Sequence, residues 1–228
     1  MKTEKTLITA HSGADGTPDN SMEFVRYVLG TQADVLEIDV RRGHNGNLII
    51  CHEEATRECV NLREIFMKVK NSPSIRVNCD LKEAGLEELV WNLAGECELE
   101  PERLIYSGTV WPGGSRKAHP WRQVEIQWNV EECIPDVYTR LGSMELTSEM
   151  ILKLVDSCKV FDVSVININE KYLSEELIES MRKNEIGISA WTVNDPDRIR
   201  TFLRERLYNI TTRNLMAALA LREEKEYL

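Results

Sequence analysis

The chain has 228 residues, a formal net charge of −10 at pH 7, and 42% hydrophobic and 29% charged residues, a composition typical of globular proteins. The acidic balance argues against nucleic-acid binding, because such proteins present basic surfaces to the phosphate backbone. No run approaches the roughly 20 apolar residues that span a bilayer, and the first residues lack the apolar core of a signal peptide. We therefore expect a cytoplasmic protein without a membrane span.

Eight short β-rich runs alternate with amphipathic stretches along the chain. The predicted strands are residues 6–10, 34–40, 74–81, 103–108, 123–128, 162–168, 187–193 and 207–211. The predicted helices are residues 21–30, 61–70, 86–98, 147–158, 174–184, 195–205 and 213–228. Such alternation favours a parallel sheet with crossover helices. Eight units of this kind predict a TIM (β/α)₈ barrel that residues 1–228 form as a single domain.

Three connections have distinctive turn chemistry. After the second strand, Asn45-Gly46 and the apolar run at 47–53 predict a β-hairpin. Asn20, with Glu23 three residues later, predicts the N-cap of the first helix. The Gly- and Pro-rich residues 108–122 predict a long loop. The predicted barrel therefore carries a hairpin extension after its second strand.

Three carboxylates interrupt strands that are otherwise apolar. Glu37 and Asp39 lie two positions apart in VLEIDV, so their side chains share one face of the second strand, and Asp80 lies near the end of the third. Buried carboxylates need partners, and oxygen ligands suit a hard cation such as Mg²⁺ or Ca²⁺. The alternative is an ordinary strand whose acidic residues pair with Arg41 and Arg42.

Further polar and aromatic residues fall near strand ends, where TIM barrels carry their active sites. His11 ends the first strand, His52 ends the hairpin strand, Lys82 follows the third strand, and Trp191 lies in the seventh. Two histidines suit general acid and base work at neutral pH, and Lys82 offers a positive charge to an anion. Each residue alone is compatible with a structural role, so the prediction depends on their coincidence at one end of the barrel.

The segment AHSGADGTPDNSMEFVRYVLGTQADVLEIDV, followed by LIICHEE, VNCDLK and WTVNDP, resembles the glycerophosphodiester phosphodiesterase family of phospholipase C-like TIM barrels. The motifs keep the family's order and cover nearly the whole chain. The resemblance implies metal-dependent hydrolysis of a glycerophosphodiester to an alcohol and sn-glycerol 3-phosphate. It also implies that His11 and His52 form a catalytic acid and base pair. Glu37, Asp39 and Asp80 would hold one Mg²⁺ or Ca²⁺ ion, and Lys82 and Trp191 would contact the substrate.

Several positions depart from the family pattern. The family begins with His-Arg-Gly, whereas His11 is followed here by Ser12, so the arginine that would face the phosphate is absent. Arg41 or Lys82 could compensate, and Ser12 and Arg41 are candidate substrate contacts. The third carboxylate is Asp where Glu is usual. The sequence ITTRN replaces a conventional turn, a change that we expect to remove no catalytic group. No long insertion follows the second histidine, which predicts a more open pocket.

Two other functions remain open. The missing arginine and the DLK sequence also resemble the sphingomyelinase D-like phospholipase D toxins, whose chemistry gives a cyclic phosphate. Those proteins are secreted and carry disulfides near the second histidine. The cysteines of this chain show no obvious match to those disulfides. A non-catalytic relative that binds a phosphorylated ligand is the third reading. The expected partner is a small phosphodiester, such as a glycerophosphodiester or a lysophospholipid head group, and the sequence defines neither the alcohol nor the oligomeric state.

Overall fold

Strands and helices alternate along the chain, as the sequence pattern predicts. The computed structural model describes residues 5–53, 59–113, 119–142 and 144–224. The strands are β1 (Leu7–Ala10), β2 (Val35–Arg42), β3 (Leu48–Ile50), β4 (Val60–Asn61), β5 (Arg76–Leu81), β6 (Leu104–Gly108), β7 (Glu125–Asn129), β8 (Val165–Asn169), β9 (Gly187–Trp191) and β10 (Asn209–Thr212). The helices are α1 (Met22–Leu29), α2 (Leu62–Val69), α3 (Glu87–Glu96), α4 (Val130–Cys133), α5 (Val137–Leu141), α6 (Ser148–Phe161), α7 (Glu175–Lys183), α8 (Pro196–Arg204) and α9 (Leu215–Arg222). None of the helices in the described ranges is long and apolar enough to cross a bilayer.

Eight of these strands close into a parallel barrel. Their order is β1-β10-β9-β8-β7-β6-β5-β2, and the pairing of β1 with β2 completes the circle. Each pairing within the circle is parallel. The predicted TIM barrel is confirmed. In this fold the loops at the C-terminal ends of the strands form the active site.

The second strand continues into the predicted hairpin. β3 runs antiparallel to β2, with Val40 opposite Ile50, and the turn between them contains Gly46 at φ 78°. A positive φ is easily adopted by glycine, which explains why Asn-Gly marked this turn in the sequence. β4 then pairs with β3 as a further antiparallel strand that was not predicted, because two residues carry no recognisable alternation. The hairpin brings the segment that contains His52 back to the end of β2, where the Cys51 N–H donates to the carbonyl of Asp39.

Capping residues define where several barrel helices begin. Ser21 and Ser174 each accept a hydrogen bond from a backbone N–H in the first turn of α1 and α7. Asp195 accepts two such bonds at α8, whose first residue is Pro196. Because Ser21 caps α1, the prediction that Asn20 does so is wrong. Asn20 instead has φ 47°, and its side chain binds β2.

The structure adds detail to residues 108–142, where the sequence pattern was weakest. Residues 120–123 form a short 3₁₀ helix before β7, and residues 114–118 of the predicted loop lie outside the described residues. The short helices α4 and α5 follow β7, where none was predicted. Elements of five residues or fewer are too short to show an amphipathic period. Residues 225–228 of the last predicted helix also lie outside the described residues.

The apolar core lies between the strands and the helices, whereas the barrel interior contains a network of polar side chains. Ile8 and Ile210 belong to the hydrophobic core, while the residues that alternate with them take part in a polar network. Thr9 donates to the side-chain oxygen of Asn209 at 2.7 Å, and Asn209 donates to the Ser189 hydroxyl at 2.9 Å. These buried groups satisfy one another, as buried polar groups must. The charged residues of the site therefore stand at the end of an interior that already contains polar side chains.

Candidate active site

Three carboxylates meet at the C-terminal ends of two adjacent strands. Glu37 and Asp39 lie on β2, which pairs with β5 in a register that places Asp39 opposite Asp80. One carboxylate oxygen from each residue lies within 4.8 Å of the other two. The alternation of strand side chains explains the arrangement, because residues two apart point to the same face. The structure thus brings the three predicted ligands together.

Glu37 is the most unusual member of this cluster. Its side chain is 9% exposed, and Oε2 is buried without a hydrogen-bond partner among the described residues. Burial raises its pKa to about 7; nearby His11 and Lys82 lower it, while the carboxylates of Asp80 and Asp39 raise it further. A buried oxygen without a partner is costly. A cation bound here would remove that cost, so the group is suited to ligate one.

Lys82 lies against the other two carboxylates. Its ammonium group is 2.8 Å from Oδ1 of Asp39 and also contacts Asp80. Burial works against the charge on Lys82, but Asp80 and Asp39 outweigh it and raise its pKa above the ordinary value. Burial likewise works against ionised Asp39, but Lys82 and the Asn20 amide outweigh it and lower its pKa. Lys82 therefore lies beside the carboxylates, and its contact with a phosphate stays a prediction.

A turn after β1 holds Asp39 from the opposite side. The Asn20 amide donates to Oδ2 of Asp39 at 2.6 Å, and the Asp39 backbone N–H donates to Oδ1 of Asn20 at 3.0 Å. Ser12 accepts a hydrogen bond from the Asn20 backbone N–H at 2.7 Å and is 2% exposed. Ser12 therefore positions Asn20. Its hydroxyl is engaged within the protein, so the geometry gives no support to the predicted substrate contact.

Both predicted histidines lie close enough to the carboxylate cluster to act on it electrostatically, His11 on Glu37 and His52 on Asp39. Nδ1 of His11 lies 2.9 Å from the carbonyl oxygen of Ser12. Nδ1 of His52 lies 2.8 Å from Oε1 of Glu53, and the His52 side chain is 63% exposed. Nδ1 of each ring is therefore held by the protein, which leaves Nε2 as the nitrogen available for proton transfer.

An open cavity of about 550 Å³ lies beside the cluster. Its lining comes from the β1 turn, the β2–β3 hairpin and the end of β10: Asp19, Asn20, Asp39, Ile50, Cys51, His52, Glu53, Cys59 and Arg213. The volume is ample for a small phosphodiester, since small-molecule sites have volumes of about 300–1,000 Å³. Residues 54–58, which follow the second histidine and bear on the predicted open pocket, lie outside the described residues.

Arg213, which follows β10, was not among the predicted site residues. Its Nε lies 3.2 Å from Nδ1 of His11, and its guanidinium contacts Oδ1 of Asp19 at 3.1 Å. Its backbone N–H donates to the Asn194 side chain at 2.8 Å. The ITTRN sequence was expected to replace a conventional turn without removing a catalytic group, and the structure adds that it brings a guanidinium to the cavity. A basic residue directly after a barrel strand was the signal that could have revealed it.

Arg41, by contrast, supports the histidine segment. Its Nε donates to the backbone carbonyl of His52 at 3.1 Å, and Nη1 lies 3.4 Å from a carboxylate oxygen of Glu83. Both contacts fix the hairpin relative to the residues that follow β5. The predicted substrate contact of Arg41 stays a prediction.

Trp191 ends β9 in a second group of polar and aromatic side chains. Its ring meets Tyr138 edge to face, with ring centres 6.2 Å apart. The Trp191 indole N–H and Oε2 of Glu131 are buried without hydrogen-bond partners among the described residues. Such groups are uncommon in proteins and retain capacity for a ligand. The arrangement is compatible with the predicted place of Trp191 in the substrate pocket.

Two cysteines face each other at the base of the His52 segment. Cys51 follows β3 and Cys59 precedes β4, so the antiparallel register places them opposite one another. Their thiols interact, and burial together with that contact raises the pKa of Cys51 to about 11. No cysteine pair was predicted near the second histidine, because this pairing depends on β4, which was not predicted either.

Almost the whole chain aligns with a known relative. A glycerophosphodiester phosphodiesterase of Caldanaerobacter subterraneus is 23% identical over 233 aligned positions, which cover 91% of this chain and 94% of the relative. The chain resembles the glycerophosphodiester phosphodiesterases. The likeness that the sequence motifs indicated is thus confirmed over nearly the full length. No family model matches the chain.

Solved structures of glycerophosphodiester phosphodiesterases share this barrel. The protein of Parabacteroides distasonis has a TM-score of 0.74 at 15% identity, covering 97% of this chain and 98% of its own. That of Thermotoga maritima has a TM-score of 0.69 at 17% identity, covering 95% and 98%. A phosphodiesterase of Oleispira antarctica, solved with the product sn-glycerol-3-phosphate, has a TM-score of 0.71 at 14% identity, covering 95% and 96%. These likenesses establish the shared fold.

Proposed function

We propose that the protein is a metal-dependent glycerophosphodiester phosphodiesterase, which hydrolyses a glycerophosphodiester to an alcohol and sn-glycerol 3-phosphate. The observation that carries the proposal is the convergence of His11 and His52 on the cluster of Glu37, Asp39 and Asp80 at the C-terminal end of the barrel. The known relative and the Oleispira structure with its bound product support this substrate class. The proposed substrate is a small phosphodiester, either a glycerophosphodiester or a lysophospholipid head group.

The carboxylate cluster fits one hard divalent cation, Mg²⁺ or Ca²⁺. Its donors are all carboxylate oxygens, the ligands that these ions prefer, and Oε2 of Glu37 is buried without a partner among the described residues. Glu37, Asp39 and Asp80 would hold the ion. When bound, it would supply positive charge that offsets the negative charge developing on the phosphoryl oxygens.

The two histidines supply proton transfer. One ring accepts a proton from water as the water oxygen bonds to phosphorus, and the other donates a proton to the alcohol oxygen as its bond to phosphorus breaks. The departing alkoxide is a strong base, so its protonation matters greatly. Glu53 holds Nδ1 of His52, and the Ser12 carbonyl lies against Nδ1 of His11, which keeps each ring oriented. Lys82 contributes a positive charge to the bound phosphate.

Replacing either histidine by alanine tests this assignment. We expect His11→Ala and His52→Ala each to lower kcat for glycerophosphocholine by about 10²–10⁴-fold, because a positioned acid or base contributes on that order. The measurement is coupled detection of sn-glycerol 3-phosphate with Mg²⁺ or Ca²⁺ present, and circular dichroism checks folding.

His119→Ala is the matched control. His119 stacks on Trp121, directly before the 3₁₀ helix that leads into the N-terminal end of β7, on the side of the barrel away from the carboxylates. It should keep full activity. Wild-type rates in both catalytic variants would show that the histidine pair has been assigned wrongly.

A further inference from the structure

Arg213 presents a guanidinium to the cavity from the end of β10. It lines the cavity together with Asp39 and His52, and its side chain is 46% exposed. The backbone bond from Arg213 to Asn194 fixes the residue at the strand end. Its carboxylate partner, Asp19, is 53% exposed. An ion pair this exposed is weak, so a doubly oxygenated anion in the cavity can replace Asp19 as the partner of the guanidinium.

The other two cations considered for phosphate binding each have two partners that hold them within the site. Lys82 contacts two carboxylates of the cluster, Asp39 and Asp80. Arg41 binds the His52 carbonyl and Glu83. Arg213 differs from both, because its partners are Nδ1 of His11 and one exposed carboxylate. Its planar fork of N–H donors also matches two phosphoryl oxygens, which a lysine cannot do.

We propose that Arg213 binds the phosphoryl oxygens of the substrate and takes the place of the arginine that is absent at Ser12. This inference rests on the proposed function and adds a residue to it. The guanidinium reaches the cavity from the last strand of the barrel rather than from the residue after His11. Both positions border the same histidine, because β10 pairs directly with β1.

Binding of the anion by Arg213 also affects His11. Nδ1 of His11 lies 3.2 Å from Nε of Arg213 and 2.9 Å from the carbonyl of Ser12. Nδ1 can accept a hydrogen bond from Arg213 only when it carries no proton. It can donate a hydrogen bond to the Ser12 carbonyl only when it is protonated. When Arg213 turns to the phosphate, Nδ1 can take a proton from solvent and donate it to the Ser12 carbonyl. The Nε2 proton then passes to solvent, which leaves the lone pair of the neutral ring on Nε2. Arg213 therefore links substrate binding to the tautomer in which His11 can act as a base.

Affinity for sn-glycerol 3-phosphate tests the proposal separately from turnover. We expect Arg213→Gln to weaken the binding of sn-glycerol 3-phosphate on the order of 10- to 100-fold, because a charge-assisted contact is lost. Calorimetry with Mg²⁺ or Ca²⁺ present measures this affinity. KM for glycerophosphocholine should rise by a similar factor. Arg213→Lys should restore part of the affinity, because it returns the charge without the fork.

Arg182→Gln is the matched control. Arg182 also pairs with one exposed carboxylate, Glu205, at 3.1 Å, but it lies on α7 away from the cavity. It should bind sn-glycerol 3-phosphate like the wild type. Equal affinities in wild type and Arg213→Gln, or binding by neither, would overturn the proposal. A wild type that binds sn-glycerol 3-phosphate but hydrolyses no diester would instead count against the proposed function alone.

Discussion

At the scale of single residues, the site is organised around a buried carboxyl with an unused oxygen. Glu37 lies beside two further carboxylates, and burial holds its pKa near 7. Lys82 contacts Asp39 and Asp80, whereas Oε2 of Glu37 has no hydrogen-bond partner among the residues that the structure describes. A cation binds the ionised carboxylate and competes with the proton. Cation affinity is therefore linked to pH through this residue.

This linkage gives a pH dependence with a defined sign. The folded protein holds a proton on Glu37 below about pH 7, so we expect affinity for Mg²⁺ or Ca²⁺ to fall by about tenfold per pH unit below that value and to level off above it. Calorimetric titration between pH 5.5 and 8 measures it. Glu37→Gln should bind the cation weakly at every pH. An affinity that stays constant across the range would contradict the role given to Glu37.

The sequence predicted the strand carboxylates and the histidines and lysine beside the strand ends, but it missed the roles of Asn20 and Arg213. Glu37, Asp39 and Asp80 were predictable because side chains alternate along a strand and β-rich runs were easily recognised. Asn20 and Arg213 were not, because a left-handed residue in a turn and an arginine after a strand leave no periodic signal. Their positions depend on which strands become neighbours when the barrel closes.

At the scale of elements, the close contact of β5 with β6 positions one of the three carboxylates. Gly108 ends β6 with φ 76°, and a Cβ there would lie 2.3 Å from the carbonyl oxygen of Leu81 and 2.7 Å from Oδ1 of Asp80. Ser107 beside it donates to Asp80 at 2.9 Å. The end of β6 therefore has to be glycine for Asp80 to keep its place.

We expect Gly108→Ala to lower both the free energy of unfolding and the affinity for the cation. The added methyl group pushes on the backbone of β5 and on the carboxylate itself, which should cost about 1–3 kcal/mol beyond the penalty of the positive φ. Urea denaturation and cation titration measure the two effects. Gly46→Ala is the control, because Gly46 also has a positive φ but a Cβ there meets no atom within 4 Å. Equal losses in both variants would show that the contact with Asp80 is unimportant.

At the scale of the whole molecule, barrel closure brings distant parts of the chain to one site. Asp34, just before β2, accepts a hydrogen bond from the Ile8 backbone N–H at 2.7 Å and pairs with Arg222 of α9, which is 5% exposed. Arg222 also donates to the carbonyl of Thr6. These contacts join the first strand, the second strand and the last helix. They thereby fix His11, the β2 carboxylates and Arg213 relative to one another.

Phosphorus NMR of glycerophosphocholine with the purified protein measures the proposed hydrolysis itself. We expect the diester signal to be replaced by that of sn-glycerol 3-phosphate when Mg²⁺ or Ca²⁺ is present, and a chelator to stop the conversion. The proposed hydrolysis would be wrong if the diester signal persisted with both ions, if conversion continued in excess chelator, or if a cyclic phosphate accumulated.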